Sequence, residues 1–166
     1  MSESEIRFHN LPDADEISSI EDLSETDYEI LSLYAKSNPK YSLELDLDET
    51  LEILDEFKDQ TCLIASPENE PDEIAAVANV DFYRGKRQAW IDGIATHPEY
   101  RGQKFGTEMI RFIENESKAR TLATIALNSI PTAIQFYTKN GFDADDMQPE
   151  SAKDELVMTK LLDSQK

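Results

Sequence analysis

The chain has one cysteine, two histidines and five glycines in 166 residues. No apolar run approaches the ~20 residues that a membrane-spanning helix needs. Each scarcity excludes something. One cysteine, Cys62, makes no intramolecular disulfide and fits a reducing compartment, so a cytoplasmic location is expected. His9 and His97 stand far apart with no Cys/His cluster at metal-ligand spacing, so no metal is expected and both histidines read as structural or surface residues. The segment MSESEIRF lacks the apolar stretch of a signal peptide. Bases are scarce: 16 Lys and Arg against 35 Asp and Glu give a formal charge of −19. Such a surface repels phosphates, so neither nucleic acid nor a membrane is an expected partner. Two phosphate motifs are missing as well, G-x-x-x-x-G-K-[ST] and G-x-G-x-x-G after a first strand, which argues against nucleotide hydrolysis and dinucleotide redox chemistry.

A hydrophobic content of 39% and this length suffice for one domain with a sizeable core, read as residues 1–166. The charge is uneven. Residues 1–60 hold 18 acids and 4 bases, residues 61–120 hold 10 and 8, and residues 121–166 hold 7 and 4. A site for an anionic ligand is therefore expected after residue 60.

Alternation predicts a first strand over 5–10, and residues 13–36 read as helical. Ser24 and Asp27 give a capping signal, and Tyr28, Ile30, Leu31 and Tyr34 share a face. Asn38-Pro39 breaks the segment. A second helix fits 48–58, with Leu51, Leu54 and Phe57 inward and its acids outward. From residue 60 the period changes. Strands are expected over 61–65, 74–82, 87–95, 122–127 and 155–161, with loops at 66–73 and 143–154 and a turn at 83–86. Gly93 inside the third of these marks a bulge or a close backbone approach. Helices fit 105–119 and 131–140, the latter with Pro131 in its first turn and Gly141 as its stop. The helix between the 87–95 and 122–127 strands allows those two to run parallel. The fold class is a mixed-sheet α/β or α+β domain.

The stretch WIDGIATHPEYRGQKFGT, residues 90–107, carries the chemistry. It is a strand, a Pro turn and a loop with Arg and Gly running into a helix. A helix start presents unpaired N–H groups and partial positive charge, Gly102 and Gly106 leave room at the backbone, and Arg101 and Lys104 add charge. A plain strand-to-helix turn has the same outline.

IATHPEYRGQKFGTEMI resembles motif A of the GNAT superfamily of N-acetyltransferases, R/Q-x-x-G-x-G/A, aligned on Arg101-Gly102-Gln103-Lys104-Phe105-Gly106. TAIQFYTKNGF, residues 132–142, resembles the ending of motif B through Ala133, Tyr137, Gly141 and Phe142. The resemblance covers roughly residues 61–161. Lys104 stands where the family has its central Gly, and Ile130 where it often has Asn, with Asn128 two residues earlier.

The resemblance implies a mostly antiparallel sheet of six to seven strands flanked by about four helices. Residues 61–161 would be the acetyl-CoA core and 1–60 the acidic acceptor side. It implies acetyl-CoA as co-substrate, its pyrophosphate on Gln103, Lys104, Phe105, Gly106 and Thr107 with Arg101 and Gly102 shaping the loop. The pantetheine arm would pair with Ile94, Ala95 and Thr96, and Asn128 is a further cofactor-side candidate. It implies acetyl transfer to a primary amine of a small molecule or protein, with Tyr137 as proton donor to the departing thiolate. Asp92, on the strand beside Gly93, is the candidate base, with a backbone-oriented water as the alternative. An acidic rim would favour a cationic acceptor. Gln88 cannot serve as a base, and Cys62 lacks an activator in an apolar strand. A catalytically silent GNAT-like domain that binds CoA or a protein is the alternative, and an acidic interaction protein a third reading. A homodimer is left open.

Overall fold

The computed structural model describes residues 4–36, 41, 44–82, 87–144 and 156–162. In chain order the elements are β1 (Ser4–His9), α1 (Glu25–Lys36), α2 (Leu47–Phe57), β2 (Thr61–Pro67), β3 (Ala76–Asp81) and β4 (Gln88–Thr96). After these come α3 (Phe105–Ala119), β5 (Thr124–Ser129), α4 (Ile134–Lys139), β6 (Asp143–Ala144) and β7 (Leu156–Leu161). The strands form a seven-stranded sheet ordered β1-β2-β3-β4-β5-β7-β6. The β4–β5 ladder is parallel, as the intervening helix predicts, and β1–β2, β2–β3, β5–β7 and β6–β7 are antiparallel. This is the mixed, mostly antiparallel sheet with four helices that the sequence leads one to expect.

Two compact units divide the chain: residues 1–80 with 93–109, and residues 81–92 with 110–166. In the first, α1 and α2 bury Ile30, Leu31, Tyr34, Ile53, Leu54 and Phe57 with Cys62 and Ile64 of β2, Val77 of β3 and Ala95 of β4. Both helices start on side-chain caps that supply acceptors to otherwise orphaned amides. Ser24 Oγ accepts from Asp27 N at 3.0 Å, while Asp46 Oδ1 accepts from Glu49 N at 2.8 Å. In the second unit, buried Ile91, Ile110, Ile113, Ile125, Leu127, Phe142 and Met158 supply the apolar interior.

Some expectations need correcting. Residues 13–24 are not helix of the α type: short 3-10 turns occupy Ala14–Glu16 and Ile20–Asp22, and α1 begins only at Glu25. Asp22 Oδ2 accepts from the amides of Ser18 and Ser19, so side-chain bonds replace a continuous helical ladder there. The 131–140 segment is likewise a 3-10 turn, Pro131–Ala133, followed by the shorter α4. Residues 143–144, expected as loop, pair with Thr159 and Met158 of β7. The turn expected at 83–86 and most of the loop at 143–154 lie outside the described residues.

Candidate active site

In the first unit, β4 ends at Thr96 and the chain turns through Pro98–Tyr100. The amide of His97 donates to Ala75 O at 2.7 Å, and its Nδ1 accepts from Glu99 N at 3.1 Å. His97 is thus the cap of this turn, a structural role. The Tyr100 ring stands edge-on to His97 and to Phe105, at 5.9 and 5.5 Å between centroids. Phe105, only 2% exposed, roots the first turn of α3 in the core.

Between these anchors lies an exposed loop, Arg101–Lys104. Gly102 has φ +81° and Lys104 φ +69°, two left-handed residues in three. The first ladder bond of α3 runs from Glu108 N to Lys104 O at 3.0 Å. The amides of Phe105, Gly106 and Thr107 therefore precede the ladder. Neither Arg101 nor Lys104 forms an ion pair among the described residues. Unpaired amides, a helix start and two unneutralised cations suit a diphosphate. Lys104 keeps the left-handed conformation that a glycine adopts freely, at a strain cost of about 1–2 kcal/mol.

Upstream, the parallel ladder of β4 with β5 ends at Ile91–Leu127, so Asp92–Thr96 run beyond it. Ala95 is buried, Ile94 and Thr96 are half-buried, and Asp92 is exposed. Gly93 answers to the close-approach reading: a Cβ there would lie 2.9 Å from Cε1 of Tyr34 on α1. Gln88 donates from Nε2 to Thr124 Oγ1 at 3.1 Å, a tie between β4 and β5.

In the second unit, Tyr137 sits on α4 with 8% exposure. Its ring stands edge-on to Phe136 and Phe142, at 5.1 and 5.8 Å. Burial pushes its phenol up to about 12, so the group stays protonated at neutral pH and can give a proton rather than take one. Asn128, on β5, is exposed, as is Ile130, which precedes the Pro131 turn.

Cys62 is buried, and burial followed by the nearby Asp27 charge raises its thiol to about 12, which suits packing and not nucleophilic attack. His9 Nε2 lies 2.7 Å from Asp27 Oδ1, joining β1 to α1. Among the described residues no group of three or more His, Cys, Asp or Glu could hold a metal ion, and no helix is long and apolar enough to cross a membrane. One group escaped the sequence reading. Glu29 is half-buried on α1; burial and then Glu73 raise its carboxyl, His97 counteracts, and Glu25 adds to the rise. Its only signal was position, between Tyr28 and the buried Ile30.

A strand leading into a left-handed loop and an amide-rich helix start has the geometry of an anion site, set here in an α+β fold. The acetyltransferase (GNAT) family profile matches residues 21–142, and the chain belongs to that family of acetyltransferases. No curated protein matches it. Solved structures share the fold. A putative GNAT-family acetyltransferase from Desulfovibrio desulfuricans superposes at TM-score 0.68 with 14% identity, over 95% of this chain and 98% of that one. An acetyltransferase from Bacillus subtilis in complex with CoA gives 0.63 with 17% identity, over 96% and 99%. A spermidine N-acetyltransferase chimera of Vibrio cholerae SpeG and hSSAT gives 0.64 with 16% identity, over 96% of each chain.

Proposed function

We propose that this acetyltransferase moves an acetyl group from acetyl-CoA to a primary amine of a small molecule or protein. The observation that carries the reading is the Arg101–Thr107 loop: first-turn amides of α3, left-handed Gly102 and Lys104, and two cations that form no ion pair among the described residues. These residues would hold the diphosphate. The backbone of Ile94–Thr96, beyond the β5 ladder, would pair with the pantetheine amides. Acetyl-CoA supplies an activated thioester. The amine nitrogen attacks its carbonyl carbon, a C–N bond forms, the C–S bond breaks, and the thiolate leaves. An alkylammonium, with a pKa of about 10, cannot attack until it loses a proton. Asp92, directly or through water, takes that proton, and Tyr137 returns one to the thiolate. The second assignment rests on the motif B resemblance at Tyr137; burial raises the phenol, so the proton has to pass as the thiolate departs and its basicity grows.

Calorimetric titration with CoA, followed by free-thiol release from acetyl-CoA over a panel of amines, tests the reading. Binding with turnover is expected, and Tyr137→Phe should lower kcat by about 10²-fold, the lower end of general acid catalysis. Absence of CoA binding would remove the proposal. Binding without turnover on any amine would leave a silent CoA-binding domain. Unchanged kcat in Tyr137→Phe would remove the donor assignment.

A further inference from the structure

Tyr137 lies on a helix of only six residues, too short to hold itself in place. Its carbonyl accepts from the amides of Asn140 and Phe142, both at 3.0 Å. Asn140 is fixed from outside the helix. Lys160 of β7 donates from Nζ to Asn140 O at 2.8 Å, and to Glu114 Oε1 on α3. Gly141 turns around the lysine stem with φ +91°, and a Cβ there would meet Lys160 Cε and Nζ at 2.9 Å. Lys160 in turn sits in the β5–β7 ladder opposite Ile125. One half-buried ammonium thus joins a strand and the long helix α3 to the C-cap carbonyl of α4, Asn140 O, where the helix dipole favours a cation. The turn it secures is bonded back onto Tyr137 itself and carries Phe142, whose ring packs on the Tyr137 ring.

We infer that Lys160, braced by Glu114, is a positioning residue for Tyr137: it sets the place of the phenol by clamping the C-terminal end of α4. The inference rests on the proposed donor role of Tyr137. A lysine that only stabilised the sheet would act on β5 and β7 as a whole, whereas this one acts through Asn140, Gly141 and Phe142 on one side chain.

The test has a readout that needs no acceptor. In the full chain labelled with [13Cζ]tyrosine, the Tyr137 signal is assigned by its loss in Tyr137→Phe. Lys160→Met should shift and broaden that signal. It should speed amide exchange at Asn140 and Phe142 about tenfold, the loss of one charge-assisted bond, while Ile125 and Leu127 of β5 stay within about twofold of wild type. Lys160→Arg should restore the wild-type signal. Should Lys160→Met not fold, Glu114→Gln should show the same local signature at smaller amplitude. An unmoved Tyr137 signal, or exchange that quickens equally through β5, overturns the inference. With the best amine of the panel, Lys160→Met should lower kcat with CoA affinity unchanged, and should cost nothing more in a Tyr137→Phe background. If Tyr137→Phe itself is silent, the donor reading fails. If Tyr137→Phe is impaired and the two substitutions are fully additive, the donor reading stands and the clamp fails.

Discussion

Lys104 gives the sharpest test of the cofactor loop, because its charge and its backbone conformation can be separated. Lys104→Ala removes the ammonium and keeps a Cβ at φ +69°, whereas Lys104→Gly removes both the ammonium and the strain. Left-handed backbone costs a residue with a Cβ about 1–2 kcal/mol. Glycine returns about 0.5–1 kcal/mol of this through its greater freedom in the unfolded chain. Taking the midpoints, glycine should therefore exceed alanine by about 0.75 kcal/mol, or about 1.5–3 °C in Tm at this chain length. Both variants should lose CoA affinity by a similar factor, no more than about fivefold, since an exposed cation contributes at most about 1 kcal/mol. Thermal melts with urea unfolding read the first quantity, and calorimetry the second. An alanine variant as stable as the glycine variant would refute the strain argument. Unchanged CoA affinity in both would refute the role of the ammonium.

Three further outcomes are expected. Glu29→Gln should raise Tm at pH 7. The carboxyl of Glu29 lies above its ordinary 4.5 in the folded chain, so its charged form opposes folding at neutral pH. The penalty fades as pH falls through the folded value and is absent below the unfolded one, so the gain should vanish near pH 4. A gain that persists at low pH would point to packing instead of charge. Gly93→Ala should destabilise by about 1–3 kcal/mol in urea titration, because the new methyl would meet Tyr34, a ring 4% exposed and edge-on to Phe57 at 5.0 Å. A neutral result would mean that Tyr34 moves freely. Cys62 should resist a disulfide reagent in the folded chain and react at once in denaturant; rapid native-state labelling would contradict its burial and raised thiol.

What could be read in advance divides by the range of the interaction. The boundaries of α3, Phe105–Ala119, match the periodicity because Phe105, Met109, Ile110 and Ile113 recur on one buried face. Ser24 was legible as a cap because the bond it makes spans three residues. The motif around Arg101 was legible as sequence, yet the left-handed turn at Lys104 was not, since lysine carries no signal for it. Strand β6 was illegible: two exposed residues, Asp143 and Ala144, are strand only because β7 pairs with them. The Lys160 clamp belongs to the same class, a contact across 20 residues to Asn140 and 46 to Glu114.

The acidity of the first 60 residues also changes meaning once its members have partners. Asp46 and Glu49 cap α2, Asp22 ties the Ser18–Ser19 turn, and Asp27 holds His9. Asp48, Glu52, Asp55 and Asp59 are exposed on or just past α2, where charge keeps a helix face in water. These roles account for much of the negative charge by local structure and leave no need for a cationic ligand. Glu29 is different. It is half-buried, and Glu73 and Glu25 repel its charge. Repulsion of a half-buried carboxylate by the exposed Glu73 and Glu25 is relieved by protonation or by a cation, whereas solvated acids on an outer face gain little from either. Within this segment a preference for positive charge would therefore act at Glu29 and its neighbours, and the net charge of the segment is no guide to it.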